Sequence, residues 1–161
     1  MDNTVTDLDR HRALAHPLRH RVLMALRSEQ GTISGLARRL QVHKGSIAHH
    51  LAVLVEAGMV RPAARRQVRG GTEQYYEIAV GAIRTSDPDA TTAMLTAVAA
   101  QVTTADRAAG DDVLLHLRHV RLTEEQALRV RAALEGIVDE LPISPGGRTH
   151  GVLVSLYPMS P

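Results

Sequence analysis

The sequence predicts a mainly α-helical fold of the α+β class, with one β-hairpin in its N-terminal half. The 161 residues are 44% hydrophobic but only 2% aromatic, so the core must be aliphatic, which favours helices over a β-sandwich. Apolar residues recur at helical spacing in several segments. One turn signal, Gly70-Gly71, separates two segments that read as strands.

The N-terminal segment predicts two helices that are divided at Pro17, because proline suits the first turn of a helix. Beyond it, Val22 and Leu26 belong to one apolar stripe. A short helix of about two turns follows, for which Ser34 is the expected N-cap. Its inner face is expected to include Leu36.

The next helix is predicted over residues 44–57, with Gly58 as the residue that ends it. Its inward-facing residues recur at helical spacing: Ile47, Leu51, Leu54 and Val55. Two short helices joined by a tight turn make a helix-turn-helix. The basic hairpin over residues 60–79 follows directly, as a wing would.

The remainder of the chain predicts two longer helices and two strands. Asp87 precedes the first helix as an N-cap, and Thr123 with Gln126 forms a capping box before the second. The strands are expected within residues 111–122 and 151–158. We therefore expect a DNA-binding domain over residues 10–80 and a dimerisation or sensing region over residues 81–161. The apolar residues expected to pair two copies are Met94, Val98, Val102, Val130, Leu134 and Ile137.

Charge is distributed unevenly along the chain. The net charge is +2, but residues 1–79 hold twelve Arg or Lys against seven Asp or Glu, which suggests a polyanion as the partner of this half. The absence of cysteine excludes disulfides and thiolate metal sites. No apolar run approaches the roughly 20 residues of a membrane span. We expect a cytoplasmic protein that is not an enzyme and uses no cofactor.

Double-stranded DNA is the expected polyanion, because the major groove admits one α-helix whose N-terminal side chains reach base edges. The wing arginines are expected to contact phosphates or the minor groove. The candidate DNA-binding residues are Ser34, His43, Lys44, Ser46, His49, Arg65, Arg66 and Arg69. Ser46 has a second role open to it, as a helix cap. His50 is expected to be partly buried and hydrogen-bonded to backbone, and Tyr75 and Tyr76 to pack within their strand.

The motifs "HPLRHRVL", "LARRLQVHKGSIAHHLAVLVEAGMV" and "GGTEQYYEIA" together resemble the winged helix-turn-helix of ArsR-type bacterial repressors, over roughly residues 10–80. The resemblance implies a homodimeric repressor that reads a near-palindromic operator and leaves it when a signal binds. Gln41 departs from the family, whose turn usually has a small residue there. The family's metal-sensing Cys-x-Cys pair is also missing from "LARRLQVH".

Three alternatives remain open. A metal sensor would need other ligands, for which His116 and His119 are the candidates. A small-molecule effector would need a pocket between helices, lined mostly by aliphatic residues. A winged helix that binds protein instead of DNA would need an apolar exposed face on the helix over residues 44–57.

Overall fold

The computed structural model describes residues 7–104, 113–142, 144 and 147–159. The chain divides into two compact units, Met1–Val113 and Leu114–Pro161. The division falls later than the expected boundary at residue 80, because the helix that begins at Pro88 packs against the first two helices of the chain. The functions assigned to the two regions stay predictions.

The first unit has the winged helix-turn-helix architecture that the sequence predicts. The helices that its described residues form are α1 (Asp7–Leu14), α2 (Pro17–Ser28), α3 (Ile33–Leu40), α4 (Lys44–Glu56) and α5 (Pro88–Thr104). Its strands are β1 (Gly31–Thr32), β2 (Val60–Val68) and β3 (Gly71–Ile78). Helices α3 and α4 form the helix-turn-helix, and β2 and β3 form the wing.

The sheet is antiparallel with the order β1-β3-β2. The two-residue strand β1, which the sequence analysis did not predict, pairs Gly31 with Tyr76 of β3. The hairpin pairs Val60 with Ile78, and its register shifts at a bulge between Pro62 and Arg65. Because β1 also joins α2 to α3, this pairing ties the wing to the helices.

The core is aliphatic and is centred on α2 and α4. Its members from α4 are Ile47, Leu51 and Leu54, which are at most 1% exposed. The predicted inner face of α4 is thus confirmed for these residues, while Val55 is half-buried. The remaining members of this core are Ala13, Leu14, Val22, Leu23, Ala25, Leu26, Leu36, Ala37, Ala57, Met59, Val60 and Ala90.

Helix α5 contacts α1 and α2 through its alanines. Its buried residues are Ala90, Ala93 and Ala97. The residues predicted to pair two copies along this helix, Met94, Val98 and Val102, are half-buried beside this contact. Asp87 accepts a hydrogen bond from the Ala90 backbone N–H at 2.8 Å, which confirms it as the cap of α5.

The caps of α3 and α4 correct the predicted roles of two serines. Thr32, not Ser34, is the N-cap of α3, and its hydroxyl accepts from the Gly35 N–H at 3.1 Å. Ser34 lies inside the first turn because α3 begins at Ile33. The N-cap of α4 is His43, so Ser46 is likewise internal to its helix.

The end of α4 is a Schellman motif. The Met59 N–H donates to the Leu54 carbonyl at 2.9 Å, and the Gly58 N–H donates to the Val55 carbonyl at 3.0 Å. Gly58 has a φ of 65°, which favours glycine because any side chain would crowd its own backbone. This confirms the predicted end of the helix and sets the direction in which β2 leaves it.

The turn of the helix-turn-helix contains Gln41 in the left-handed region, with φ 55° and ψ 47°. Its N–H and that of Val42 satisfy carbonyls at the end of α3, with Val42 donating to Ala37 at 2.9 Å. A residue with a Cβ adopts this left-handed conformation at some cost in strain, so Gln41 is strained where the resemblance leads us to expect a small residue.

The second unit contains α6 (Glu124–Asp139), whose predicted capping box is confirmed. The Gln126 N–H donates to the Thr123 hydroxyl, and the Thr123 N–H donates to the Gln126 side-chain carbonyl. The prediction of strands is wrong for the described residues, 113–122 and 151–158, which form no ladder. A strand needs a neighbour for its backbone hydrogen bonds, and the described part of the chain supplies none to these segments.

Helix α6 buries none of its residues. Of the residues expected to pair copies here, Val130 and Ile137 are exposed and Leu134 is half-buried. Among the described residues, no helix is long and apolar enough to cross a membrane.

We expect Gln41→Gly to stabilise the protein, by up to about 1 kcal/mol, because glycine adopts the left-handed region without strain. Gln101→Gly is the matched control, since Gln101 is an exposed residue of α5, where glycine costs roughly 1 kcal/mol. Urea denaturation of both variants measures the two free energies of unfolding. Equal destabilisation by both changes would contradict this account of the turn.

Candidate nucleic-acid interface

Helix α4 presents a narrow stripe to solvent, opposite its buried face. The exposed residues of this stripe are Gly45, His49, Ala52 and Glu56, spaced at helical intervals. Two of them, Gly45 in the first turn and Ala52 in the second half of the helix, are very small, so the backbone is accessible beside them. Lys44 is exposed and Ser46 is half-buried, on opposite flanks of the stripe. Of the three predicted residues of α4, the structure therefore exposes Lys44 and His49.

The start of this stripe continues onto α3 and the turn. A shallow, open depression of about 580 Å³ is lined by Ser34, Ala37, Arg38, Gln41, Val42, His43 and Lys44. Three of the predicted residues therefore line one surface: Ser34, His43 and Lys44. Arg38 joins them, and in the described part of the chain its side chain has no hydrogen-bond or ion-pair partner. We call the α4 stripe and this depression together the helix surface.

His43 has a structural role that constrains its chemistry. Its Nδ1 accepts a hydrogen bond from the Gly45 N–H at 3.2 Å and so caps α4. An accepting Nδ1 has no proton, so the neutral ring bears its proton on Nε2. That N–H is a donor at the N-terminal end of the helix. The predicted DNA contact of His43 and its cap are therefore compatible while the ring is neutral.

The predicted arginines of the wing lie in different surroundings. Arg65 Nε donates to Gln74 Oε1 across the hairpin at 2.9 Å, while the Arg66 guanidinium lies 4.6 Å from the centre of the Tyr75 ring. Consecutive strand residues point to opposite faces, so these two arginines present charge on both sides of the wing. Arg69 is exposed in the turn. Each wing arginine remains accessible to an anion.

Tyr75 and Tyr76 differ in their surroundings. Tyr76 packs against the core cluster, as predicted. Tyr75 is half-buried and supports the Arg66 guanidinium by a cation–π contact, which limits where that cation can move.

Several other arginines of this unit are engaged in holding the fold. Arg21 donates to the Leu40 carbonyl at 2.9 Å, and Arg39 donates to the Ala25 carbonyl and to Glu29. Arg27 donates to the Gly81 carbonyl. The number of basic residues in this half therefore exceeds the number that are free to meet a polyanion.

Arg61 belongs to the same structural group. Its Nε donates to Glu77 Oε1 at 2.7 Å, and Gln30 donates to the other carboxylate oxygen at 2.8 Å. Both hydrogen bonds lower the pKa of the Glu77 carboxyl, and the one from Arg61 has the larger effect. The carboxylate ties β2, β3 and the segment before β1 together.

Behind the exposed stripe, three imidazoles meet. The His50 ring lies 4.4 Å from that of His16 and 5.2 Å from that of His49, measured between centroids. His50 is only 8% exposed, and its Nδ1 has no hydrogen-bond partner among the described residues. The prediction of a buried His50 is confirmed, but its predicted backbone hydrogen bond is wrong, because neighbouring imidazoles occupy its surroundings.

This cluster disfavours positive charge. Burial, and then the nearby His16, Arg19 and His49, lower the pKa of His50 to about 4. Burial is also the main cause of a lowered pKa at His16, whose Nδ1 caps α2 by accepting from the Leu18 N–H. A protonated His16 would lose that cap. His16 and His50 are therefore stable as neutral imidazoles.

A fourth histidine, His20, lies in the core. Its ring Nε2–H donates to the Leu14 carbonyl at 2.8 Å, and it is 1% exposed. Burial lowers its pKa as well. Within the described residues, no group of three or more His, Cys, Asp or Glu side chains could hold a metal ion. His116 and His119 are exposed in the segment before α6.

Sequence reasoning missed Arg38, Gly45 and Ala52 on the helix surface. Arg38 lies four residues after Ser34, so the helical spacing would have found it. Gly45 and Ala52 would have been found by extending the polar face of α4 from His49 in both directions at helical spacing. Which of the adjacent pair Arg38 and Arg39 is available could not be predicted, because it depends on Glu29 and Ala25 of another element.

Part of the first unit matches a known protein family. Residues 16–61, from the cap of α2 to the start of β2, match the family model "Bacterial regulatory protein, arsR family". This confirms the resemblance to ArsR-type regulators over that segment. No curated protein matches the chain. The crystal structure of the transcriptional repressor BigR from Xylella fastidiosa is similar at 18% identity and a TM-score of 0.38, over 59% of this chain and 83% of that one.

We expect the protein to lose stability when the pH falls from 7 to 5. His50, His16 and His20 all have folded pKa values below their usual 6.5. Between about 6.5 and 4 the unfolded chain therefore binds protons that the folded chain does not, and folding weakens as pH falls. His50→Leu should make this decline shallower, because it removes the group lowered to about 4. Thermal unfolding by circular dichroism across this range measures it, and an unchanged slope would contradict the account.

Proposed function

We propose that this chain, which has the helix-turn-helix of the arsR family of bacterial regulatory proteins at residues 16–61, is a dimeric repressor that reads a near-palindromic operator. The observation that supports this most is the helix surface. It combines a polar, slender stripe on α4 with Arg38 and Lys44, two cations that have no internal partner in the described residues.

The stripe suits entry into the major groove. The major groove is about 12 Å wide and admits one α-helix. Gly45 and Ala52 are small and exposed, so they let the backbone of α4 approach the base edges closely. His49 supplies a donor to base edges, and the Ala52 methyl group suits contact with the methyl of thymine. Lys44 and His49 are therefore the proposed reading residues, with Ser46 beside them.

The polar residues beside the start of the stripe suit phosphates. Ser34, Arg38 and His43 line the depression beside the first turn of α4, where the DNA backbone next to the groove would pass. The partial positive charge of a helix N-terminus adds to the attraction for an anion. Such contacts position the protein and make binding depend on salt, without reading sequence.

The wing is proposed to contact the adjacent backbone or the minor groove. Arg65 and Arg66 lie on opposite faces of the hairpin, and Arg69 lies at its tip. Whichever face of the wing is turned toward DNA, one of these arginines would therefore contact it. Arg66 is the best oriented, because Tyr75 holds its guanidinium. A narrow minor groove attracts arginine through its negative potential.

A dimer suits the proposed DNA target, a near-palindromic operator. Two copies related by a two-fold axis present two α4 helices about one DNA turn apart, which matches a near-palindrome. Repression, and release by an effector, are what the ArsR resemblance implies. The proposed effector is an unidentified small molecule. A cytoplasmic location suits a protein whose target is the operator.

A winged helix that binds protein is less consistent with the structure. It would need an apolar exposed face on α4. In the part of the chain that the structure describes, no exposed large apolar side chain lies on α4.

The test is binding of the purified protein to duplex DNA from upstream of its own gene, against a scrambled duplex, over a salt series. Tight, sequence-dependent binding with a steep salt slope is expected. Lys44→Ala and His49→Ala should reduce the preference for the specific duplex, whereas Arg66→Ala should weaken both duplexes alike. Failure to bind either duplex at low salt would overturn the proposal.

Arg38→Ala should lower affinity for both duplexes severalfold and reduce the salt slope by about one, because one phosphate contact is lost. Arg131→Ala is the matched control, an exposed arginine of α6. Fluorescence anisotropy over 50–300 mM salt, roughly the range in which phosphate contacts dominate, measures both. Equal slopes for the two variants would place Arg38 away from DNA.

Ala52→Leu should abolish specific binding while leaving the fold intact, because the added bulk on an exposed position obstructs the groove and leucine is a good helix former. Ala100→Leu makes the same change at an exposed position of α5 and should bind like the wild type. Binding isotherms and circular dichroism of the pair separate obstruction from misfolding. Wild-type affinity for Ala52→Leu would show that another face of α4 meets DNA.

A further inference from the structure

We propose that His50 and His16 are positioning residues that hold the ring of His49 in the orientation in which it reads DNA, without contacting DNA themselves. The proposed function assigns His49 to the base edges of the major groove, and this inference rests on that assignment. The two further histidines decide which way the reading ring faces, and so which base pair it accepts.

The His49 side chain has little else to hold it. It is exposed on the stripe of α4, and it forms no hydrogen bond or ion pair with another described residue. Rotation of an imidazole about χ2 is soft, with two broad minima about 180° apart. An exposed histidine without a neighbouring ring would therefore sample both orientations, and ordering it on binding would cost free energy.

The His50 ring supplies the neighbour that His49 needs. The two ring centroids are 5.2 Å apart and the ring planes meet at 68°, an edge-to-face arrangement typical of aromatic pairs. Consecutive residues of a helix diverge by about 100°, so adjacency in the sequence does not by itself produce this contact. The His50 side chain is buried, so it presents a fixed surface to the His49 ring.

Packing of the core alone does not explain an imidazole at position 50. Its Nδ1 is buried and has no hydrogen-bond partner among the described residues. Such an atom lowers stability, because it loses its hydrogen bonds to water without replacement. A leucine at this position would avoid that loss. Residues that break a packing rule are expected at functional sites, and here the gain is the contact with His49.

His16 holds the His50 ring in turn. Their centroids are 4.4 Å apart, and the ring planes are tilted by 43°. His16 is itself fixed, because its Nδ1 accepts a hydrogen bond from the Leu18 N–H at 3.1 Å as the cap of α2. A series of ring contacts therefore links the first turn of α2 to the exposed stripe of α4. The reading side chain is held by two helices rather than by its own helix alone.

Ring orientation matters for reading because an imidazole is not symmetric about χ2. Its two nitrogens donate or accept hydrogen bonds, whereas its two ring C–H groups are at best weak donors. A half turn about χ2 exchanges the places of the nitrogens and these carbons. The base edge then meets a C–H group where it would have met a donor or an acceptor, and discrimination between base pairs is lost. Holding the ring therefore contributes to sequence discrimination more than to affinity.

The test uses two full-length variants that remove a holding ring and leave His49 in place. His50→Leu fills the buried position with an apolar side chain, and His16→Asn removes the second ring while asparagine keeps the N-cap. His20→Leu is the matched control, because it replaces a buried histidine of the same unit whose ring bonds to the Leu14 carbonyl instead. All three variants should keep the wild-type circular dichroism spectrum at pH 7.

Fluorescence anisotropy measures discrimination as a ratio of dissociation constants, with the duplex from upstream of the gene and copies that change one base pair each. His49→Ala first identifies the base pair that His49 reads, where a mismatch should cost the wild type about fivefold or more in affinity. His50→Leu and His16→Asn should lose most of this ratio at that base pair alone. Both should bind a scrambled duplex within about twofold of the wild type, because phosphate contacts are unchanged. His20→Leu should keep the ratio.

NMR relaxation of the His49 ring carbons, measured without DNA, separates positioning from a loss of structure. Ring motion should increase in His50→Leu and His16→Asn, and it should match the wild type in His20→Leu. Wild-type discrimination in both variants would overturn the proposal, as would a loss of discrimination without a change in ring motion. An equal loss of affinity for every duplex would also overturn it, because a general loosening of α4 would then explain the effect.

Failure of this inference is distinguishable from failure of the proposed function. If His49→Ala lost discrimination while His50→Leu and His16→Asn kept it, the assignment of His49 to DNA would stand and only the positioning role would fail. If the wild type bound no duplex at low salt, or His49→Ala discriminated like the wild type, that assignment would fail and the positioning role with it.

Discussion

Burial of one face of α4 is the interaction on which the rest of the structure depends. Ile47, Leu51 and Leu54 are almost completely buried, and each contributes roughly 1.5–3 kcal/mol in removing its side chain from water. These three residues fix the rotation of the helix about its axis. The stripe that includes Gly45, His49 and Ala52 is exposed because it lies opposite them.

The contacts at both ends of α4 fix its position along the axis. His43 caps the start, and the Schellman motif at Gly58 directs the chain into the wing. The strained conformation of Gln41 sets the angle between α3 and α4. Burial lowers the pKa values of His16 and His50 beside α4, so the same packing makes the helix-turn-helix sensitive to acid.

The arginines of the first unit serve two purposes. Arg21, Arg27, Arg39 and Arg61 donate to backbone carbonyls or pair with carboxylates and so hold the elements together. Arg38 has no such contact among the described residues, and the wing arginines engage only neighbours within the hairpin. Some of the basic residues therefore hold the fold together, while others are free to bind a partner. Only the second group attracts a polyanion.

The sequence by itself determined the helix-turn-helix, the wing and the caps at Asp87 and Thr123, since periodicity, glycine and capping residues act over a few neighbouring positions. It also predicted that Lys44 and His49 point away from the core on α4, and both are exposed. Tertiary structure decided what depends on distant partners: the pairing of β1 with β3, the cap at Thr32, the surroundings of His50, and the choice between Arg38 and Arg39. It also decided that the strand-like segments around α6 have no partner strand among the residues that the structure describes. A strand is defined by its neighbour, and no periodicity within one segment can name that neighbour.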